Sequence, residues 1–156
     1  MVAVPQQRRP IELRRAQIDF VQLQRSKLFG FHKTTYREAG LNVSDREKTI
    51  LDCLERFDLC GGVDEVARTI SVFVEEIAAD TLLDHLTRMD NQALTQRLGL
   101  ILERLSTLQA VDEDLTAAIA RLVGEHTYPL DPHGPDEGHV DARWHVRENT
   151  DVLREL

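Results

Sequence analysis

The chain has 156 residues, enough for one domain of typical size with its own core, and only 5% of them are aromatic, which suits a helix-rich domain better than a β-sandwich. No run of about 18 apolar residues exists, so no membrane-spanning segment is expected, and the opening MVAVPQQRRP lacks the apolar centre of a signal peptide; a cytoplasmic protein is the expectation. The net charge of −8 is unevenly spread: residues 1–43 hold eight basic and three acidic side chains, and residues 44–156 hold eleven basic and twenty-four acidic. Such asymmetry gives the two parts different partners: an acidic helical surface suits a basic protein, and a basic arm suits nucleic acid.

Residues 1–10 are polar and basic, contain Pro5, and read as a loose tail, leaving 11–156 as a single domain. From Ile11 to Leu23 the alternation of Ile18 and Phe20 with Gln17 and Asp19 predicts a half-buried strand. Further extended segments are expected over 29–36, with Gly30 as a bend, and over 41–43. Ser44 and Glu47 then read as a capping box, opening a helix with Ile50, Leu51, Leu54 and Phe57 on one face. Gly61 and Gly62 break that helix, and Val63, Val66, Ala67, Ile70, Phe73, Val74 and Ile77 form the apolar stripe of a second. Three more helices follow, with Asp80, Asn91 and Asp112 as their expected caps. After Tyr128 the chain turns rich in Pro, Gly, His and Asp, with a loop over 129–138 and a return strand over 140–146 that carries Trp144 to the core. The expected fold is α+β: a small N-terminal antiparallel sheet, which the C-terminal strand is available to join, packed on about five helices.

No G-x-S-x-G elbow, P-loop, G-x-G-x-x-G or H-E-x-x-H is present, and the carboxylates fit solvated helix faces, so a non-enzymatic protein without a cofactor is expected. Cys53 and Cys60 read as two reduced thiols, since two ligands do not make a zinc site. His126, His133, His139 and His145 match no local ligand spacing, so no metal is expected. Arg8, Arg9, Arg14, Arg15, Arg25, Lys27 and Lys33 form the basic arm; they fit either phosphate contact or a solvated face balancing the acidic helices. Gly99 inside a helix is costly relative to Ala and points to close packing against another element, while Asp52 and Arg56 are spaced for a helix-surface pair.

The segment EKTILDCLERFDLCGGVDEVARTI, then NQALTQRLGLILERLS, YPLDP and DARW, resembles in order the motifs of AbiEi-like antitoxins, from about Pro10 to Trp144. The matching positions are Glu47, Lys48, Thr49, Asp52, Gly61, Gly62, Arg97, Gly99, Arg143 and Trp144, which are expected to be mainly structural. The resemblance covers the C-terminal domain of that family; residues 1–10 are too short for its N-terminal winged helix. It implies a type IV antitoxin and transcriptional autoregulator, paired in function but not by stable contact with a nucleotidyltransferase-like toxin. DNA is the implied partner of the basic arm, and no membrane is. The alternative is a protein-interaction module that uses its acidic helical surface and has no nucleic-acid role.

Overall fold

A computed structural model describes residues 2–151 and 153, and the fold is mixed α+β. The chain forms two compact units that meet between Ser44 and Asp45, whereas the sequence places a boundary at residue 10.

The first unit is built from strands. β1 (Val2–Val4) pairs in parallel with β4 (Phe20–Gln22), and between them β2 (Ile11–Leu13) and β3 (Ala16–Ile18) form an antiparallel hairpin. Within the segment expected as a loose tail, residues 2–4 are held as a strand, and 5–10 are an exposed link. Val2-Ala3-Val4 has strong strand propensity, Val4 is buried, and Val2 N–H donates to the Asp19 carbonyl. The strand expected over 11–23 is broken twice, at the Arg14-Arg15 turn and at Asp19. A short 3-10 turn, Arg25–Lys27, leads to a bend at Gly30 with φ of 66°. β5 (Phe31–Tyr36) and β6 (Ala39–Ser44) then pair antiparallel over six residues each. The N-terminal strands thus make three separate two-stranded ladders, one of them parallel, rather than one antiparallel sheet.

The second unit holds α1 (Arg46–Glu55), α2 (Val63–Phe73), α3 (Ala79–Met89), α4 (Gln92–Ser106) and α5 (Glu113–Ala120). α4 is its axis: every residue from Leu94 to Leu102 is buried, so the helix is covered on all sides. The α1–α2 link is a 3-10 turn, Phe57–Leu59, followed by Gly61 and Gly62 at φ of 83° and 95°, backbone angles that glycine adopts at little cost. Asn91 caps α4 through Leu94 N–H, and Asp112 caps α5 through Asp114 and Leu115 N–H.

Two caps differ from expectation. Ser44 is the last residue of β6, paired with Phe31, so Asp45 takes the cap of α1 and accepts from Lys48 N–H at 2.8 Å. Glu47 does not close a capping box; it accepts from Ala78 N–H at 2.8 Å, at the start of α3. That bond satisfies one of the free N–H groups at the α3 N-terminus, where Ala78 is the cap residue and Asp80 lies in the first turn.

The C-terminal strands form their own sheet, ordered β7 (Tyr128–Pro129), β9 (Val146–Glu148), β8 (His139–Asp141). Among the described residues they pair only with one another. The single strand expected over 140–146 is split, because Asp141 Oδ1 accepts from both Arg143 and Trp144 N–H and folds the chain into a turn. Trp144 sits at that turn, fully buried. A Cβ on Gly99 would lie 1.9 Å from Trp144 Cζ3, so the indole rests directly on the α4 backbone. Glu103 Oε2, one turn further along α4, accepts from Trp144 Nε1–H at 2.7 Å, and the Arg143 guanidinium lies 4.9 Å over the ring while pairing with Glu103.

Candidate nucleic-acid interface

The cations of the first unit sit at turns and on exposed strands. Arg14 and Arg15 form the whole two-residue connection of the β2–β3 hairpin, because Leu13 pairs with Ala16 on either side. Arg8 and Arg9 lie on the exposed link between β1 and β2, Arg25 and Lys27 in the 3-10 turn, and Lys33 on β5. Arg25 is exposed and Lys27 half-buried. Among the described residues, Arg8, Arg9, Arg14, Arg15, Arg25 and Lys33 form no ion pair, so their charge is not neutralised by a neighbouring carboxylate.

Arg37 was not among the cations singled out from sequence, yet it occupies the tip of the longest hairpin. Tyr36 pairs with Ala39, leaving Arg37 and Glu38 as a two-residue turn at φ of 47° and 68°. Positive φ at both positions is the mark of a type I′ turn, normally filled by Asn-Gly. Arg-Glu is an uncommon occupant, which is why residue preference does not reveal the turn. The guanidinium of Arg37 lies 5.5 Å above the Tyr36 ring.

Pairing assigns the β5–β6 faces, since residues opposite one another share a face. Phe31, Lys33, Thr35, Gly40, Asn42 and Ser44 lie on one; His32, Thr34, Tyr36, Ala39, Leu41 and Val43 lie on the other. All twelve are exposed.

The remaining motif residues lie in the second unit. Lys48 is almost fully buried and pairs with Asp52, one turn along α1, so Asp52 does not pair with Arg56 as its spacing suggested. Arg56 instead pairs with Asp58 at 2.8 Å and holds that carboxyl below its usual range. Thr49 Oγ1–H donates to the Asp45 carbonyl, and His85 Nε2 lies 2.9 Å from Asp45 Oδ2, tying α3 to the start of α1. Replacing Asp45 with Ala removes both the cap and the histidine contact, and should lower stability by about 1–2 kcal/mol in a urea melt, with Asp45→Asn recovering the cap. Arg97 is buried, donates from Nε to the Pro129 carbonyl at 2.9 Å and lies 5.6 Å over Phe57. Burial pushes its pKa down, and nearby Asp131 partly offsets that.

Among the described residues no three His, Cys, Asp or Glu side chains converge as a metal site would require. His145 lies 3.1 Å from the Glu125 carbonyl, His126 stacks edge-on with Tyr128, and His133 is exposed. Burial, then the hydrogen bond with the Cys60 thiol, pushes the Cys53 thiol from 9.0 up to about 12. The folded state thus keeps Cys53 protonated where the unfolded chain ionises it. The associated stability is complete below pH 9.0 and is lost as pH rises towards about 12. A denaturant series across that window should show the fall, and Cys53→Ser should flatten it.

No protein-family model matches the chain, and no curated protein and no solved structure matches it.

Proposed function

We propose that this chain is a non-enzymatic, antitoxin-type domain that contacts DNA phosphates through its first unit. The observation that carries the reading is the pair of arginine-bearing hairpin tips, Arg14-Arg15 and Arg37, in a unit whose eight basic residues face only three acidic ones. Exposed cations on short, hydrogen-bonded hairpins meet phosphates at little further ordering cost, and the released counterions make the affinity steep in salt. The antitoxin assignment rests on the motif resemblance, which runs through Glu47–Asp52, Arg97–Gly99 and Arg143–Trp144, all in the second unit. In this reading the second unit serves the antitoxin role opposite a nucleotidyltransferase-like toxin, without a stable complex.

Binding to duplex DNA measured across a salt series tests the first half. Each phosphate contact contributes about 0.9 to the log–log slope, so Arg14→Ala with Arg15→Ala should reduce the slope by about 2 and weaken binding alike on all sequences. Absence of binding at low salt would sink the DNA reading. Growth rescue on co-expression with a nucleotidyltransferase-like toxin of the AbiE type tests the second half, and failure to rescue would leave an interaction module of the acidic helical surface.

A further inference from the structure

We infer that the β5–β6 hairpin is a two-stranded ribbon that enters the major groove of duplex DNA and presents its Lys33–Asn42 face to the base edges. The inference rests on the DNA reading above and adds to it a mode of contact and a source of sequence preference.

An isolated two-stranded ribbon is marginal in water unless a further strand or a packed element covers an apolar face. Here both faces lie open: Tyr36 is 63% exposed, Phe31 49%, Leu41 46% and Val43 42%. Neither face is covered, and a partner that suits the charge of its unit is the one favoured. The first unit of a second copy would bring eight basic residues against eight, whereas a polyanion would be attracted, as would the acidic second unit of another copy; only the polyanion can also use the hydrogen-bonding groups of the ribbon as base contacts.

Dimensions favour the major groove. Strands of six residues span roughly 20 Å and lie roughly 5 Å apart, and a groove about 12 Å wide admits such a ribbon with its side chains. The three-residue strands of β2–β3 are too short for the same task and suit phosphate contact at the rim.

The two faces differ in what they can read. Lys33 stands directly across from Asn42, and Thr35 across from Gly40. Lysine donates to the N7 and O6 acceptors of guanine, and the asparagine amide both donates to and accepts from adenine. A threonine methyl can meet the methyl of thymine. Gly40 has no atom within 4 Å of where a Cβ would stand, so beside Thr35 the ribbon has space for a base edge to approach. The opposite face carries His32, Thr34 and Tyr36 among Ala39, Leu41 and Val43; it has donors too, but neither a lysine nor an amide that both donates and accepts. At the tip, the left-handed Arg37-Glu38 turn sets a guanidinium beside Tyr36, where it can follow the ribbon to a phosphate or a guanine.

The test uses the full chain and short duplexes that carry both a run of A·T pairs, which distamycin occupies, and 5-hydroxymethylcytosine, with or without glucose attached to that group. Glucose fills the major groove and leaves the backbone charge unchanged. Binding to the glucosylated duplex should be about tenfold weaker, while distamycin in the minor groove should have little effect. Lys33→Ala with Asn42→Ala, at exposed positions that should leave the fold intact by circular dichroism, should weaken binding to the open duplex and abolish the difference between the two. Equal affinity for both duplexes, or displacement by distamycin, would overturn the ribbon and leave phosphate contact standing. Equal affinity for duplex RNA would also overturn it, because the A-form major groove is too narrow to admit the ribbon. No binding to any duplex at low salt would remove the underlying DNA reading as well.

Discussion

Gly99→Ala should destabilise the protein by about 3 kcal/mol, although Ala is ordinarily better than Gly in a helix by about 1 kcal/mol. The reversal comes from the indole: the new Cβ would stand 1.9 Å from Trp144 Cζ3 and 2.1 Å from Cε3. Neither partner can yield easily. Gly99 lies in the covered middle of α4, and Trp144 is held by Glu103 at Nε1 and by the Asp141 turn at its backbone. Equilibrium urea melts provide the measurement. Trp144 is the chain's sole tryptophan, so its emission reports the same event, shifting towards the red as the ring is driven out. Gly40→Ala is the internal control; a Cβ there meets nothing within 4 Å, and stability should stay within about 0.5 kcal/mol. Adding Trp144→Leu to Gly99→Ala should cost less than the two single losses combined, because the clash disappears with the ring. A Gly99→Ala protein as stable as the parent would refute the packing account.

Asn149→Ala should cost about 3 kcal/mol, with the loss concentrated in the loop over 129–138. The buried Asn149 amide donates to the carbonyls of Asp131 and Pro135, both at 2.8 Å, and its Oδ1 accepts from Asp131 N–H at 2.9 Å. Removing it deletes three bonds at about 1 kcal/mol each and leaves half-buried backbone groups without a partner. Amide exchange at Asp131 and the residues after it should accelerate more than exchange in α4, and proteolysis should begin in the loop. Asn149→Asp keeps the acceptor but sets a carboxylate oxygen against the two carbonyls, so at neutral pH it should cost at least as much as Asn149→Ala. Uniform acceleration of exchange throughout the second unit would show that the loop is not fastened locally by this residue.

Much of the helical unit could be read from the chain because its signals are local. The period of Val63, Val66, Ala67 and Ile70 describes one buried face, and Asn91 and Asp112 cap helices through bonds that reach only two or three residues ahead. What escaped was decided at a distance. Ser44 and Asp45 are both acceptable caps, and the choice fell to Asp45 because Ser44 belongs to a ladder with Phe31. Glu47 looks like a capping-box partner, but an amide 31 positions later claims it. A glycine in a helix announces a close approach, yet nothing around Gly99 says that the visitor is a tryptophan 45 positions on. The basic residues of the first unit were visible as composition. The Arg37-Glu38 tip was not, because it places two non-glycine residues at positive φ where sequence preference looks for Asn-Gly.

The parallel pairing of β1 with β4 has a practical consequence. Val2 is already engaged with Asp19, and Val4 accepts from Leu23 N–H, so residues 2–4 are fastened at both ends of a short strand. Trimming the first four residues would strip Phe20–Gln22 of its partner and expose an unpaired edge open to self-association.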